Sequence, residues 1–378
     1  MKLAGQELMF GKGCLEYIES IKTNKVSIVI GGSSMVKSGM LEKVKGLFAK
    51  SGAEIMVVEG VEPDPSLKTV QRGAKEMEAF HPDLIVALGG GSAMDAAKTM
   101  WVFYEHPELT SLEELLVPEK FPKLRKKARF CCIPSTSGTA SEVSRSVVIT
   151  DTETDLKVGI GNMEMMPDIA ICDPEVTATM PPKITAETGM DALTHALEAL
   201  VSTRANYVSD VLATQAIEDI IAYLPKAYED GEDLEAREKM LNASMIAGMA
   251  FTNVSLGIVH SMAHTLGSYF HIPHGLANAI LLPYVMRFNA QDEKAASIYE
   301  KVAKRANVQE MQTVVWELNK KLGIPLTFSE LIEDKEKYDS LLETMATLAK
   351  NDGCTKTNPI IPSIEQFKKL FEEVYKGE

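Results

Sequence analysis

A chain of 378 residues exceeds one ordinary hydrophobic core, so two domains are expected, and 45% apolar content is ample for globular folding. The net charge of −14 argues against a nucleic-acid partner or an anionic membrane surface; no apolar run reaches spanning length, and none follows Met1-Lys2 as in a signal peptide. The five cysteines (Cys14, Cys131, Cys132, Cys172, Cys354) are odd in number and scattered, which fits reduced thiols in a cytoplasm, not a disulfide framework.

In chain order, Val26–Ile30 reads as a buried strand, Met40–Ser51 as a helix and Ala53–Val58 as the next strand. Leu67–Phe80 is helical, Leu84–Leu88 is a strand, and a helix follows from Ser92. Phe130–Ile133 is a further strand, Val147–Ile160 a hairpin across "DTETD" at Asp151–Asp155, and Ile169–Cys172 a last short strand. Continuous β-branched runs alternating with helices predict a parallel, Rossmann-like sheet covered on both faces. After Pro181-Pro182 strand signals nearly vanish and helical spacing dominates, as in Ala186–Val201, Ser209–Leu224, Ala236–Phe251 and Ala277–Phe288. The expectation is an α/β domain over residues 1–180 and an all-helical domain over 181–378.

Two turns carry phosphate-binding chemistry. "LIVALGGGSAMDAAK", from Leu84, ends a buried strand in Gly89-Gly90-Gly91 before a helix. Glycines let the backbone approach a ligand, and free N–H groups at a helix start suit a phosphate. Ser92 and Asp95 have capping-box spacing. The run is not GxGxxG, because Met94 stands at the last position, and a plain tight turn explains it equally well. "IPSTSGTASEV", from Ile133, follows a second strand in the same way, with Ser135, Thr136, Ser137 and Thr139 as uncharged donors or as a simple polar cap. Two such turns on one sheet favour a nucleotide diphosphate.

The helical half carries metal-ligand spacing. Asp191 and His195 in "TGMDALTHALEAL" share a helix face, and Glu198 falls on nearly the same face as a third candidate by spacing. A simple polar pair on a helix gives the same pattern. "GIVHSMAHTLGSYFHIPHG", Gly257 to Gly275, holds four of the chain's seven histidines. His260 and His264 are one turn apart. His260 and His274 would lie about 21 Å apart on a continuous helix. Gly267 permits a turn and Pro273 cannot continue a helix, so the chain is expected to double back and bring His274 to His260. An Asp, His, His, His set suits a divalent ion. His271 reads as a loop residue; His264 is a core histidine, a ligand, or a proton-transfer group.

These stretches, with "MPPKITAETGMDALTHALEA" from Met180 and "CTKTNP" from Cys354, resemble the iron-containing (group III) alcohol dehydrogenases. The resemblance is closest to the bacterial NADPH-using butanol dehydrogenases and spans nearly the whole chain in the family's order. It implies a dehydroquinate synthase-like architecture, with Asp191, His195, His260 and His274 as ligands to Fe2+ (Zn2+ as the alternative) and His264 in catalysis near the nicotinamide. It does not imply Glu198 as a ligand. Gly90, Gly91, Ser92, Asp95, Thr136, Ser137 and Thr139 match the family's nucleotide-binding loops, and Lys157 a lysine that reaches the cofactor ribose. Asp64 stands where relatives often have asparagine, which puts its cofactor contact in doubt. NAD-preferring relatives place an aspartate at the position of Gly32; Gly32, Ser33 and Ser34 leave room and donors for a 2′-phosphate, so NADP(H) is expected over NAD(H). Lys37 adds a positive charge nearby, and a flexible turn is the plain alternative.

The activity so implied is reversible hydride transfer between NADP(H) and a small uncharged alcohol or aldehyde, in a cleft between the domains, by a homodimer or higher homo-oligomer. "MAFTNVSLGIV" before His260 has no Lys or Arg to meet a charged substrate. Ser146, Phe251, Leu256 and Cys354 are the expected pocket residues. Two competing readings are a lyase of the dehydroquinate-synthase type, opposed by the lack of basic residues near the ligands, and a non-enzymatic assembly role, opposed by the complete ligand set.

Overall fold

The computed structural model describes residues 1–151 and 157–377, and the chain divides into two compact units, Met1–Met180 and Pro181–Glu378. In the first, the elements run β1 (Glu7–Phe10), β2 (Lys25–Gly31), α1 (Ser34–Lys37), α2 (Met40–Lys50), β3 (Glu54–Val61), α3 (Leu67–Phe80), β4 (Leu84–Gly89) and α4 (Gly91–Glu105). They continue with β5 (Arg129–Pro134), β6 (Ser146–Thr150), β7 (Lys157–Gly161), β8 (Ile169–Cys172) and α5 (Pro174–Thr177). Six strands pair in parallel in the order β1-β8-β5-β4-β2-β3.

Strand alternation builds two cores. Val29, Ile85, Ala87, Phe130 and Cys132 pack with α3 and α4, while Ile28, Ile30, Val86, Leu88, Cys131 and Ile133 pack with α2. Both faces are covered, which is why these strands read as unbroken apolar runs. The strand order reverses between β2 and β4, and ligands of open α/β sheets bind beyond the strand carboxyl ends at such a point. Gly31 and the Gly89–Gly91 turn emerge there, side by side: a Cβ on Gly31 would stand 3.5 Å from Ala93 Cβ, and one on Gly89 2.8 Å from it.

Three local expectations need correction. β1 is an edge strand paired with β8, absent from the sequence reading because three of its residues are only half-buried, Phe10 is exposed, and it lacks a β-branched run. The helix after β4 starts at Gly91 with Gly90 as its cap, and there is no capping box. Asp95 instead accepts 2.9 Å bonds from Ser141 Oγ and Val148 N–H, tying α4 to β6. β6 and β7 pair antiparallel as a hairpin requires, although residues 152–156 of the "DTETD" turn lie outside the described residues.

The second unit contains α6 (Pro182–Val201), α7 (Tyr207–Glu229), α8 (Leu234–Val254), α9 (Ile258–Phe270), α10 (His274–Asn289), α11 (Glu293–Arg305), α12 (Met311–Lys321), α13 (Lys335–Asn351) and α14 (Ile364–Lys376). It has no strand among the described residues. The turn expected at Gly267 is not made there. α9 runs straight through the buried Gly267, and the reversal is made at His271 (φ 54°), whose N–H caps Gly267 O at 3.1 Å. Pro273 then caps α10, so that helix begins at His274 and not near Ala277. Among the described residues no single helix is long and apolar enough to cross a membrane.

Candidate metal centre and glycine turns

α6 presents Asp191 and His195 four residues apart on one buried face. α9 supplies His260, and the turn at His271 returns the chain so that His274 opens α10 beside it. The Nε2 atoms of His195, His260 and His274 lie 3.9, 3.8 and 3.7 Å from the single oxygen Asp191 Oδ1. Asp191, His195 and His260 each offer a ligand atom within 4.8 Å of the others. The His195 ring is stacked between Phe251 (centroids 4.5 Å) and His260 (4.7 Å), which fixes its plane.

Burial, helped by the neighbouring His195, drives the His260 imidazole well below its ordinary value. Burial also brings His274 down to about 3, against the pull of Asp191. For Asp191, burial alone would raise the carboxyl; the charges of His195, His274 and His260 and a bond from Asn278 prevail and lower it. At neutral pH the group therefore offers a carboxylate and unprotonated lone pairs on His260 and His274, the protonation state a metal ligand needs. A buried anion facing three imidazole nitrogens, with both charge sign and donor type right, fits a divalent cation.

Glu198, one turn beyond His195, faces the far side of the His260 ring and not Asp191, unlike the third ligand that its spacing suggested. Its Oε2 lies 2.6 Å from His260 Nδ1 and its Oε1 accepts from Val259 N–H at 2.7 Å; burial pushes this carboxyl up to about 7, against the backbone donors that hold it down. Only glycine fits at Gly257, since a Cβ there would stand 2.8 Å from Glu198 Oε1. The carboxylate holds His260 in the tautomer whose Nε2 points to Asp191.

His264 lies outside the ligand group but stacks on His274, with centroids 5.5 Å apart and planes 14° from parallel. Its Nδ1 bonds Asp352 Oδ2 at 2.9 Å. Asp352 Oδ1 also accepts from Cys354 N–H (2.7 Å) and Ser261 Oγ (3.1 Å). Burial would raise this carboxyl, but the hydrogen bond and charge of His264, with those two donors, hold it well below the usual carboxylate range. Sequence reasoning missed Asp352. Its sole signal was proximity to "CTKTNP", and its partner is 88 residues away. His271 is exposed at the end of α9. Of the expected pocket residues, Phe251 packs on His195, Leu256 offers its carbonyl to Thr357 Oγ1 at 2.6 Å, and Cys354 adjoins Asp352. Ser146 lies in the first unit, on β6.

In that first unit the two expected turns meet. β4 and β5 are neighbours, with Gly89 opposite Pro134. A Cβ on Gly90 would stand 3.1 Å from Thr136 Cγ2, and one on Gly91 2.7 Å from Thr139 Cγ2. Thr136 Oγ1 and Ser137 Oγ are buried without a hydrogen-bond partner among the described residues. Buried hydroxyls beside a glycine-bared helix start lack the acceptor that a diphosphate supplies, so this cradle fits a dinucleotide. Ser92 lies in the first turn of α4, whereas both carboxylate oxygens of Asp95 are engaged within the protein. Gly32 adopts φ 53° with open space where a Cβ would be, and Ser33 starts α1 without a side-chain cap bond. Asp64 and Lys157 pair at 2.8 Å.

A parallel sheet with paired glycine turns, followed by a helical unit holding a buried carboxylate–imidazole cluster, fits a metal-dependent enzyme that binds a dinucleotide. Comparison with known proteins narrows this. Residues 5–174 match the family Iron-containing alcohol dehydrogenase, and residues 185–375 the Fe-containing alcohol dehydrogenase family, C-terminal. The chain is 47% identical to the NADPH-dependent butanol dehydrogenase of Clostridium saccharobutylicum, over 98% of this chain and 97% of that one. It is 38% identical to an aldehyde-alcohol dehydrogenase of Streptococcus pneumoniae, over 97% of this chain but 45% of that longer protein. An iron-containing alcohol dehydrogenase structure from Thermococcus thioreducens superposes with a TM-score of 0.93 at 35% identity, covering 100% of both chains. The chain belongs to the iron-containing alcohol dehydrogenase family. It is an oxidoreductase acting with a metal site and NAD(P), which leaves the lyase and assembly readings without support.

Proposed function

We propose that this enzyme transfers hydride reversibly between NADP(H) and a small uncharged primary alcohol or aldehyde, with butanol and butyraldehyde as the working pair. The observation that carries this reading is the convergence of three imidazoles on Asp191 Oδ1. Asp191, His195, His260 and His274 would hold Fe2+, for which Zn2+ is the chemically acceptable alternative. When bound, the ion supplies Lewis acidity at the substrate oxygen and the nicotinamide gives or takes the hydride.

The chain's own residues do the rest. Glu198 keeps His260 Nε2 deprotonated and aimed at Asp191. Asp352 holds the His264 proton on Nδ1, so His264 Nε2 is the atom that takes up or returns the alcohol proton. Phe251 contributes an apolar wall against His195 and excludes water there. The segment Met249–Val259 offers no cationic side chain, which favours an uncharged substrate. Thr136, Ser137 and the Gly90–Gly91 backbone cradle the cofactor diphosphate. Gly32, Ser33 and Ser34 receive the 2′-phosphate. The open space at Gly32 and the Ser33 hydroxyl, which makes no cap bond to α1, support this, as does the NADPH dependence of the 47% identical relative.

The test is kcat/KM for butyraldehyde reduction with NADPH and with NADH. NADPH is expected to be preferred. Equal or better use of NADH overturns the cofactor assignment, and no reduction with either overturns the substrate class.

A further inference from the structure

A buried amide stands among the ligand atoms. Asn278 follows His274 by one turn on α10 and is fully buried. Its Nδ2 lies 2.7 Å from Asp191 Oδ1, 3.1 Å from His274 Nε2 and 3.3 Å from His260 Nε2. The first partner is a carboxylate oxygen. His260 spends its proton on Glu198 through Nδ1, so its Nε2 is a lone pair. A reversed amide would set oxygen against these acceptors, so the nitrogen belongs on this side. Oδ1 is buried and has no partner among the described residues. Nothing behind the amide fixes its direction; the ligand atoms alone do.

We propose that Asn278 is a clasp for the metal-free site: its amide holds Asp191, His260 and His274 together when no ion is bound and competes with the ion for their lone pairs. The proposal rests on reading these residues as a metal centre. Without an ion, a buried carboxylate and imidazole lone pairs converge on the Asn278 amide, an arrangement that is costly unless hydrogen-bonded. The Asn278 amide meets that need with two N–H groups, one for Asp191 Oδ1 at 2.7 Å and one shared between His274 Nε2 at 3.1 Å and His260 Nε2 at 3.3 Å. A cation and an N–H dipole pointing at the same lone pairs exclude each other. The contacts to His260 and His274 must open when the ion enters, while the bond to Asp191 can persist. Asn278 therefore stabilises the metal-free form more than the loaded form, and by linkage it weakens metal binding. Such a clasp keeps the ligand geometry intact through metal loss and reloading.

The test uses the full chain as wild type, Asn278→Ala and Asn278→Asp, stripped with a chelator and titrated with Zn2+ alone against a competing chelating dye. Thermal unfolding is followed in the stripped and loaded forms. Asn278→Ala should lower Tm of the stripped form more than that of the loaded form, and bind Zn2+ about tenfold more tightly, the factor one ordinary hydrogen bond represents. Asn278→Asp can share at most one proton, with Asp191, and leaves the His260 and His274 lone pairs without a donor, so it too should bind Zn2+ more tightly than wild type. Unfolding of either variant at a chelator concentration that leaves the wild type folded is the same result in its extreme form. Unchanged or weaker Zn2+ binding by Asn278→Ala overturns the clasp and leaves the metal centre standing. Failure of the wild type itself to bind Zn2+ overturns the metal reading and the clasp with it.

Discussion

Replacing Asp352 by asparagine isolates the proton-handling part of the site. The variant keeps the side chain's shape, and its amide oxygen still accepts from Cys354 N–H and Ser261 Oγ, now at 2.7 and 3.1 Å. The atom facing His264 Nδ1 at 2.9 Å becomes a donor. His264 must then accept through Nδ1 and carry its proton on Nε2, the atom assigned to proton exchange with substrate. A hydrogen bond to a charged group contributes about 1.5–3 kcal/mol, and about 1.4 kcal/mol is tenfold in rate, so kcat should fall roughly 10- to 100-fold. KM for aldehyde and metal content should hold, because the hydrogen bonds of Asp352 go to His264, Ser261 and Cys354. Steady-state kinetics of NADPH oxidation, with metal analysis on the same sample, reads all three quantities. A kcat within twofold of wild type would refute the tautomer argument. The same residue has a stability signature. Its carboxyl lies below its ordinary 3.8 in the fold, so its contribution is fully present above pH 3.8 and is lost as pH falls toward the depressed folded value. The asparagine variant should lose less stability than wild type on acidification through that window.

Three further outcomes are expected. His260→Ala should lose metal and turnover, whereas His271→Ala, altered at an exposed turn, should keep both; elemental analysis and rate decide, and a fully metallated His260→Ala would contradict the ligand set. Gly32→Asp should shift preference toward NADH by about tenfold or more, since one carboxylate repelling a 2′-phosphate need supply only about 1.4 kcal/mol; Gly32 has φ 53°, which aspartate tolerates, and open space at its Cβ, so the fold should survive. Unchanged kcat/KM ratios for the two cofactors would place the 2′-phosphate elsewhere. Gly91→Ala puts a Cβ 2.7 Å from Thr139 Cγ2 and should raise KM for NADPH and NADH alike by about tenfold, the scale of 1–3 kcal/mol of overpacking; a change in one cofactor only would contradict a shared diphosphate cradle.

The parallel strands and their helices are legible in the chain because both faces of the sheet are covered, so burial writes unbroken apolar runs. β1 is not, because an edge strand of three half-buried residues and one exposed residue leaves no such run. In the site, Asp191 and His195 announce themselves by helical spacing, and Pro273 announces a reversal. Its position was misjudged at Gly267 because helix termination there depends on the left-handed backbone of His271, which histidine does not advertise. The orienting carboxylates are the least legible part. Helical spacing marks Glu198 but not its role: it reaches a histidine 62 residues on, and Asp352 one 88 residues back, so tertiary packing alone shows that the two orient imidazoles.

The proposed reaction requires a divalent ion at Asp191, His195, His260 and His274. The direct measurement strips the purified enzyme with a chelator, confirms metal loss by elemental analysis, and titrates Fe2+ back without oxygen while following NADPH-dependent butyraldehyde reduction. Activity should vanish on stripping and return in proportion to bound ion, saturating at one equivalent per chain. Undiminished turnover by metal-free enzyme would contradict the role given to these four residues.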